Sequence, residues 1–212
     1  MFTGIVQGMA HVLECQTLGR NKRLKIQFPD ASMQGQQLGA SVAINGVCLT
    51  VVEIERDAVS FDVIDTTLLL TNIGSLTNGS IVNYERAARM GDEVGGHVMS
   101  GHIMTCVDVC DIQQQGESFH IRFSVDVSGL TNVDARRYLF DKGYVGLNGA
   151  SLTICDIGDD WIEVSLIPET LKATTFGRLR LGDKVNLEID SHTQATVDTV
   201  ERVLKQRAVI LS

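Results

Sequence analysis

Only two prolines occur among the 212 residues, and no Pro-rich or low-complexity tract does, which excludes a disordered or linker-like chain. No apolar run approaches the roughly 18 residues of a membrane-spanning helix, so no membrane partner is expected. The start, MFTGIVQGMA, lacks the basic stretch of a secretory leader, and the expected location is the cytoplasm. Cysteines are few and odd in number. Cys15, Cys48, Cys106, Cys110 and Cys155 include no C-x-x-C pair, which argues against a disulfide framework or zinc knuckle and for thiols in a reducing compartment. Positive charge is also scarce: the net charge is −8 and Arg20 to Lys25 is the main basic group, so nucleic acid is not an expected partner. No G-x-G-x-x-G, Walker loop or G-x-S-x-G is present, which leaves no dinucleotide domain, phosphate cradle or hydrolase elbow.

What is present is a repetition. Residues 42–85 match residues 145–188 at 17 of 44 positions without a gap, among them Asn45/Asn148, Gly46/Gly149, Thr50/Thr153 and Glu85/Glu188. Upstream the offset shortens from 103 to 97, placing Thr3-Gly4 on Ser100-Gly101 and Val6 on Ile103. A period near 100 that occurs twice signals a duplicated domain and not a solenoid. The units are 1–97 and 98–190, followed by a tail, 191–212.

Runs such as LKIQF, SVAI, LTVVEI, AVSFDVI and IVNYE are short, rich in β-branched and aromatic residues, and bounded by turn formers; HIRFSVDV, YVGLN, LTICDI, WIEVSLI and KVNLEI answer them. They predict an all-β fold with a small closed antiparallel barrel in each half. Asn-Gly at 45–46 and 148–149 predicts tight turns, and TTLLLTNIG and ETLKATTFG predict short helical turns. From Thr193 to Arg207, Ala195, Val197, Val200, Val203 and Leu204 recur at helical spacing; this helix packs on its own barrel or joins subunits.

Cys48 follows a turn at the position where the repeat carries Ser151. Read alone it is equally a small core residue or a thiol at a pocket mouth, paired with a hydroxyl in the other half. In GGHVMSGH the two histidines are five apart with no third ligand near, which disfavours a metal. His102 replaces the apolar Ile5 of the repeat and is therefore a better functional candidate than His97.

MFTGIV, NGVCLTV, GGHVMSGH, NGASLTI and LIPETL, in this order across nearly the whole chain, resemble riboflavin synthase of the alpha-chain type. The resemblance implies two similar six-stranded Greek-key barrels per subunit, a homotrimer joined through C-terminal helices, and no cofactor. It further implies a dismutation in which one 6,7-dimethyl-8-ribityllumazine donates a four-carbon unit to another, yielding riboflavin and 5-amino-6-ribitylaminouracil. Carried over by motif, Gly4, Ile5 and Val6 with Cys48, Leu49, Thr50 and Asp62, Val63, Ile64, Asp65, Thr66 and Thr67 line a first pocket. Gly101, His102, Ile103, Lys142, Ser151, Leu152 and Thr153 with Leu166, Ile167, Pro168, Glu169, Thr170 and Leu171 line a second. Cys48, His102, Ser151 and Asn148 are the catalytic candidates. Two positions depart from the family, since Asn148 stands where an aspartate is usual and Thr66 where a glutamate precedes the threonine. The alternative is a non-catalytic lumazine or flavin antenna, a relative within the same family.

Overall fold

The computed structural model describes residues 1–29, 32–56, 58–125 and 134–210. The first half folds into β1 (Gly8–Leu18), β2 (Asn21–Gln27), β3 (Ser41–Ile44), β4 (Val47–Glu55), β5 (Ala58–Val63) and β6 (Ile81–Arg86). The second gives β7 (Thr105–Gln115), β8 (Ser118–Ser124), β9 (Tyr144–Leu147), β10 (Ala150–Ile157), β11 (Trp161–Leu166) and β12 (Lys184–Ile189). Each set closes in the same order, β1-β2-β5-β4-β3-β6 and its counterpart, so the Greek-key arrangement appears twice and, among the described residues, each barrel closes on itself. The end of the HIRFSVDV run, 126–127, lies outside the described residues.

Alternation explains the barrels. Leu24 and Ile26 on β2, Val51 on β4 and Phe61 on β5 point inward and are almost wholly buried, and Ile121, Phe123, Ile154 and Val164 repeat the pattern in the second core. Each fully buried aliphatic or aromatic side chain contributes about 1.5–3 kcal/mol. Bulges turn the wall between Val12 and Glu14 and between Val51 and Glu53. They recur between Val109 and Asp111 and between Ile154 and Asp156, preserving the offsets of 97 and 103 read from the sequence.

A short helix and a 3-10 turn follow the fifth strand of each barrel: α1 (Asp65–Leu70) with Asn72–Ser75, and α2 (Pro168–Ala173) with Thr175–Arg178. These are the two helical turns expected from TTLLLTNIG and ETLKATTFG. The last helix, α3 (Ser191–Ile210), is longer than its apolar pattern. Its first half docks on its own barrel: Val197 packs against the second core, Tyr138 donates to Asp198 at 2.7 Å and Arg137 pairs with Glu201 at 2.6 Å. Val200, Val203 and Leu204 stay 41–59% exposed.

The barrels meet at their Asn-Gly turns. Asn45 and Asn148 both take positive φ, 45° and 44°, and a Cβ on Gly46 would stand 2.6 Å from the Gly149 nitrogen, so glycine is required for this approach. Around it a buried amide network crosses the interface reciprocally. Asn186 Nδ2 donates to the Asn45 carbonyl at 2.8 Å and Asn83 Nδ2 to the Asn148 carbonyl at 2.9 Å. Asn72, whose counterpart is Thr175, adds bonds to Asn148 Oδ1 at 2.9 Å and from its own N–H to Asn186 Oδ1 at 2.7 Å. Such buried amides are stable only when paired, and this pairing fixes the two barrels against each other.

Candidate active site

Each half opens with a short segment that crosses to the other barrel. Phe2 and Met99 form a reciprocal backbone bridge, at 2.8 and 2.9 Å, where the two segments pass. Beyond it, the Gly4 carbonyl accepts the Ser151 N–H at 2.8 Å, and the Gly101 carbonyl accepts the Cys48 N–H at 3.0 Å. Val6 packs into the second core and Ile103 against the first. The grouping expected from the motifs is thus corrected: Gly4 to Val6 belong with Ser151, and Gly101 to Ile103 belong with Cys48. The cause is the linker, which brings the second leading segment back over the first barrel while the N-terminus lies over the second.

Two buried carboxylates anchor these segments. Glu85 on β6 accepts from the Thr3 N–H at 2.6 Å, the Thr3 hydroxyl at 2.8 Å and the Gly4 N–H at 3.1 Å. Glu188 on β12 accepts from Ser100 N–H, Ser100 Oγ and Gly101 N–H at 2.6, 2.8 and 3.1 Å. Burial pushes both carboxyls above their ordinary range, and these donated bonds offset only part of that rise.

The second-barrel pocket is a cavity of about 240 Å³ between the leading segment and α2, walled by Gly4, Ile5, Val6, Ser151, Leu152, Glu169 and Thr170. At its edge Ser151 Oγ accepts the His97 N–H at 3.1 Å and lies 2.6 Å from His97 Nδ1. The imidazole is 7% exposed, stacks on Tyr144 at 5.2 Å, and its Nε2 is buried with no hydrogen-bond partner. Burial pushes the His97 pKa down, against a smaller opposing pull from the nearby Asp190 carboxylate, so the ring is neutral near pH 7. A hydroxyl touching a neutral, partly desolvated imidazole is an arrangement for moving a proton.

By the repeat register the corresponding first-barrel wall is Gly101, His102 and Ile103 with Cys48, Leu49, Thr66 and Thr67. Cys48 is half-buried, and a Cβ on Gly101 would lie 2.6 Å from its Cβ, so the segment rests directly on it. His102 is exposed, with its N–H donated to Ser100 Oγ at 3.1 Å. It therefore stands on the Cys48 side, in the other half of the chain's site from Ser151.

Other sequence candidates have different placements. Leu49, Val63 and Leu166 bury their side chains in the barrel cores. Asp62 is held by Arg23 at 2.7 and 2.9 Å, and Asp65 by Arg20 at 2.9 Å. Thr50, Ile64, Thr66 and Thr153 are exposed at the barrel surface, and Ile167 and Pro168 line a neighbouring groove with Glu169. Leu171 packs against the second core. Lys142 takes a positive φ of 62° and directs its ammonium to Asp141 at 3.6 Å. Asn148 is 4% exposed, and its Oδ1 accepts from Asn186 N–H and Asn72 Nδ2, both at 2.9 Å. Its amide is committed to the barrel interface. His97, Glu85 and Glu188 were not among the sequence candidates. His97 lies in the segment that joins the two matched units, upstream of the paired Thr3 and Ser100 starts, and that position between the repeats was the available signal.

Two barrels of one topology, each carrying a leading segment from the other half, place the chain among duplicated lumazine-binding-domain proteins; the lumazine binding domain family matches residues 3–87 and again 100–190. Riboflavin synthase of Escherichia coli (strain K12) is 47% identical over 98% of this chain and 95% of that protein. The Chlamydia pneumoniae and Mycobacterium bovis riboflavin synthases are 38% and 37% identical over 96% and 97% of the chain, covering 97% and 98% of their own lengths. Among solved structures, LumP complexed with riboflavin superposes with a TM-score of 0.81 at 28% identity, and LumP complexed with 6,7-dimethyl-8-(1'-D-ribityl) lumazine with 0.77; both cover 90% of this chain and all of theirs. The chain belongs to the riboflavin synthase family.

Proposed function

We infer that the protein is a riboflavin synthase, a transferase that dismutates two molecules of 6,7-dimethyl-8-ribityllumazine into riboflavin and 5-amino-6-ribitylaminouracil. One observation carries the reading: at equivalent positions under the two leading segments stand a thiol, Cys48, and a hydroxyl on a buried imidazole, Ser151, the latter at the edge of the cavity. A reaction between two copies of one molecule needs two similar sites with different chemistry. The four-carbon unit leaves one lumazine and joins the other, so atoms and electrons balance between the substrates and no cofactor enters. Holding the rings face to face replaces a bimolecular encounter, an advantage of about 7–11 kcal/mol at ideal geometry.

In this scheme Ser151 relays the acidic C7 methyl proton of its ligand to His97 Nδ1, and the Asp190 charge favours the imidazolium formed. Cys48 acts as nucleophile or base near C7 of the other lumazine, with His102 beside it. Asn148 fixes the turn that carries Ser151 and takes no proton, because an amide cannot act as a base and its oxygen is already engaged.

The functional units are 1–97 and 98–190, each completed by the other's leading residues, and 191–212 is the assembly element. We place the active site between the first barrel of one subunit and the second barrel of a neighbour, in a homotrimer in the cytoplasm. The uncovered Val200, Val203 and Leu204 stripe supports the trimer; a chain ending before Thr193 should then lose the wild-type mass in solution. The deciding assay is product analysis. One riboflavin should form for every two lumazines consumed, and Cys48→Ala should lose turnover far more than lumazine affinity. Tight binding without turnover in the wild-type chain would make it an antenna instead.

A further inference from the structure

A second cluster of chemically active side chains lies on the outer wall of the C-terminal barrel. His120 and Ser165 are cross-strand partners on β8 and β11, as are Arg122 and Glu163, and all four project from the same face. Cys155 sits at the bulge of β10 and reaches this face from the other side. His120 Nδ1 is 3.1 Å from Glu163 Oε1, Cys155 Sγ is 3.7 Å from the same oxygen, and Ser165 Oγ lies 3.1 Å from His120 Nδ1 and 3.3 Å from Cys155 Sγ. The three ligand atoms all fall within 4.8 Å of one another, the one such trio among the described residues.

These separations have a meaning. Zinc bond lengths of about 2.0–2.1 Å to nitrogen or oxygen and about 2.3 Å to thiolate sulfur set the edges of a tetrahedron at about 3.3 Å and about 3.5 Å. The observed nitrogen–oxygen and sulfur–oxygen edges depart from those values by a few tenths of an ångström, within the reach of small rotamer shifts. We propose that His120, Cys155 and Glu163 form a binding site for one divalent ion of the zinc type, with Ser165 Oγ or water as fourth ligand.

The surroundings fit. Arg122 holds the second carboxylate oxygen of Glu163 at 2.7 Å and is itself stacked over Trp161 at 4.1 Å, so the carboxylate is oriented by a partner outside the ligand set. On binding, the Cys155 thiol releases its proton to solvent as the sulfur–metal bond forms, and the neutral His120 ring carries its proton on Nε2 so that the Nδ1 lone pair faces the ion. The fold does not demand these residues. At the register positions in the first barrel stand Arg23, Val52 and Ser60, which offer no such set. None of the three lines the Gly4–Ser151 cavity, so the ion would clamp three strands and take no part in the lumazine chemistry.

The test uses the full-length protein, reduced and stripped with chelator, titrated with Co²⁺. One equivalent should produce a thiolate-to-cobalt charge-transfer band and the intense d–d absorption of a tetrahedral ion, both erased by Zn²⁺. Cys155→Ser should abolish the charge-transfer band and His120→Ala should weaken binding by at least about tenfold, while Cys15→Ser keeps the spectrum. All three variants should still form riboflavin, which shows them folded. Absence of the band at saturating cobalt, or its persistence in Cys155→Ser, overturns the proposal; if Cys155→Ser does not fold, His120→Ala decides it by the same titration.

Discussion

Gly4 carries the sharpest structural demand in the site. At φ +75° it lies in the left-handed region, its N–H goes to Glu85 Oε2 at 3.1 Å and its carbonyl to Ser151 N–H at 2.8 Å. An added Cβ would stand 2.4 Å from Ser151 Cβ, 2.9 Å from Ser151 N and 2.8 Å from Met99 Sδ. The methionine tip can swing away; the serine Cβ and nitrogen cannot move without the β10 backbone. Gly19 and Gly79, at φ +64° and +85°, share the backbone conformation but meet nothing within 4 Å. Alanine at either of these should cost only the left-handed strain, about 1–2 kcal/mol. Gly4→Ala should add the overpacking, about 1–3 kcal/mol, for a total of about 2–5 kcal/mol. Urea unfolding at one fixed protein concentration reads the difference. Turnover should separate the variants further, because displacing Ser151 by about 1 Å costs about 10²-fold, whereas the two controls keep wild-type rates. Three equal stabilities, agreeing within about 0.5 kcal/mol, would refute the enforced contact between the leading segment and Ser151.

Two further outcomes follow from burial and capping. Because His97 titrates below its ordinary value of 6.5, the acid limb of kcat/KM should fall below that pH, and His97→Gln should remove the limb together with most of the rate. The unfolded chain takes up this proton first as pH drops, so His97 lowers stability on the acid side, and the same variant should flatten that slope in unfolding experiments. Asp190 caps α3 by accepting the Thr193 N–H at 2.7 Å and the Thr193 hydroxyl at 2.8 Å. Desolvation raises its pKa, but those bonds and the neighbouring histidines outweigh it, so its contribution is present above pH 3.8 and is lost as pH falls through the lower folded-state value. Asp190→Ala should cost about 0.5–2 kcal/mol at neutral pH, measured by thermal unfolding.

The repeat made the barrels legible because each inward residue of a strand recurs at a fixed offset, and the Asn-Gly turns fixed where strands reverse. The strands that open each barrel carry no such pattern. In β1 only Ala10 and Val12 are buried, the outer half of its long hairpin with β2 facing solvent, and in β7 only Val107 and Val109 are. Two buried positions in eleven residues leave no alternation to read. The pocket partners differ from the motif grouping for another reason: a duplicated motif states which residues are equivalent, but not which copy of a segment covers which barrel. That choice is made by tertiary hydrogen bonds such as Gly4 to Ser151, which leave no local trace. Asn148 stood in a motif with Ser151 and so was grouped with it, although alternate residues of a strand face opposite ways and the turn residue faces the other barrel.

Symmetry and function pull against each other in this molecule. Two equal pockets would bind two lumazines and give neither a role, since the same groups would face each ring. The differences lie where the duplication breaks: thiol against hydroxyl at Cys48 and Ser151, no acid at Thr66 against Glu169 on the cavity wall, and His97 on one side only. All three sit on the common scaffold without disturbing it, because each is a side chain on a surface strand, a short helix or the linker, away from the packed cores. The linker matters most. It is the one segment whose length the duplication does not fix, and the GGH stretch within it passes so close that a Cβ on Gly96 would stand 2.5 Å from Ser151 Cβ, while the His97 ring reaches the Ser151 hydroxyl. In the proposed mechanism the residues that join the copies thus supply a general base to one of them, so that the proton-removing role is assigned without any change in either barrel.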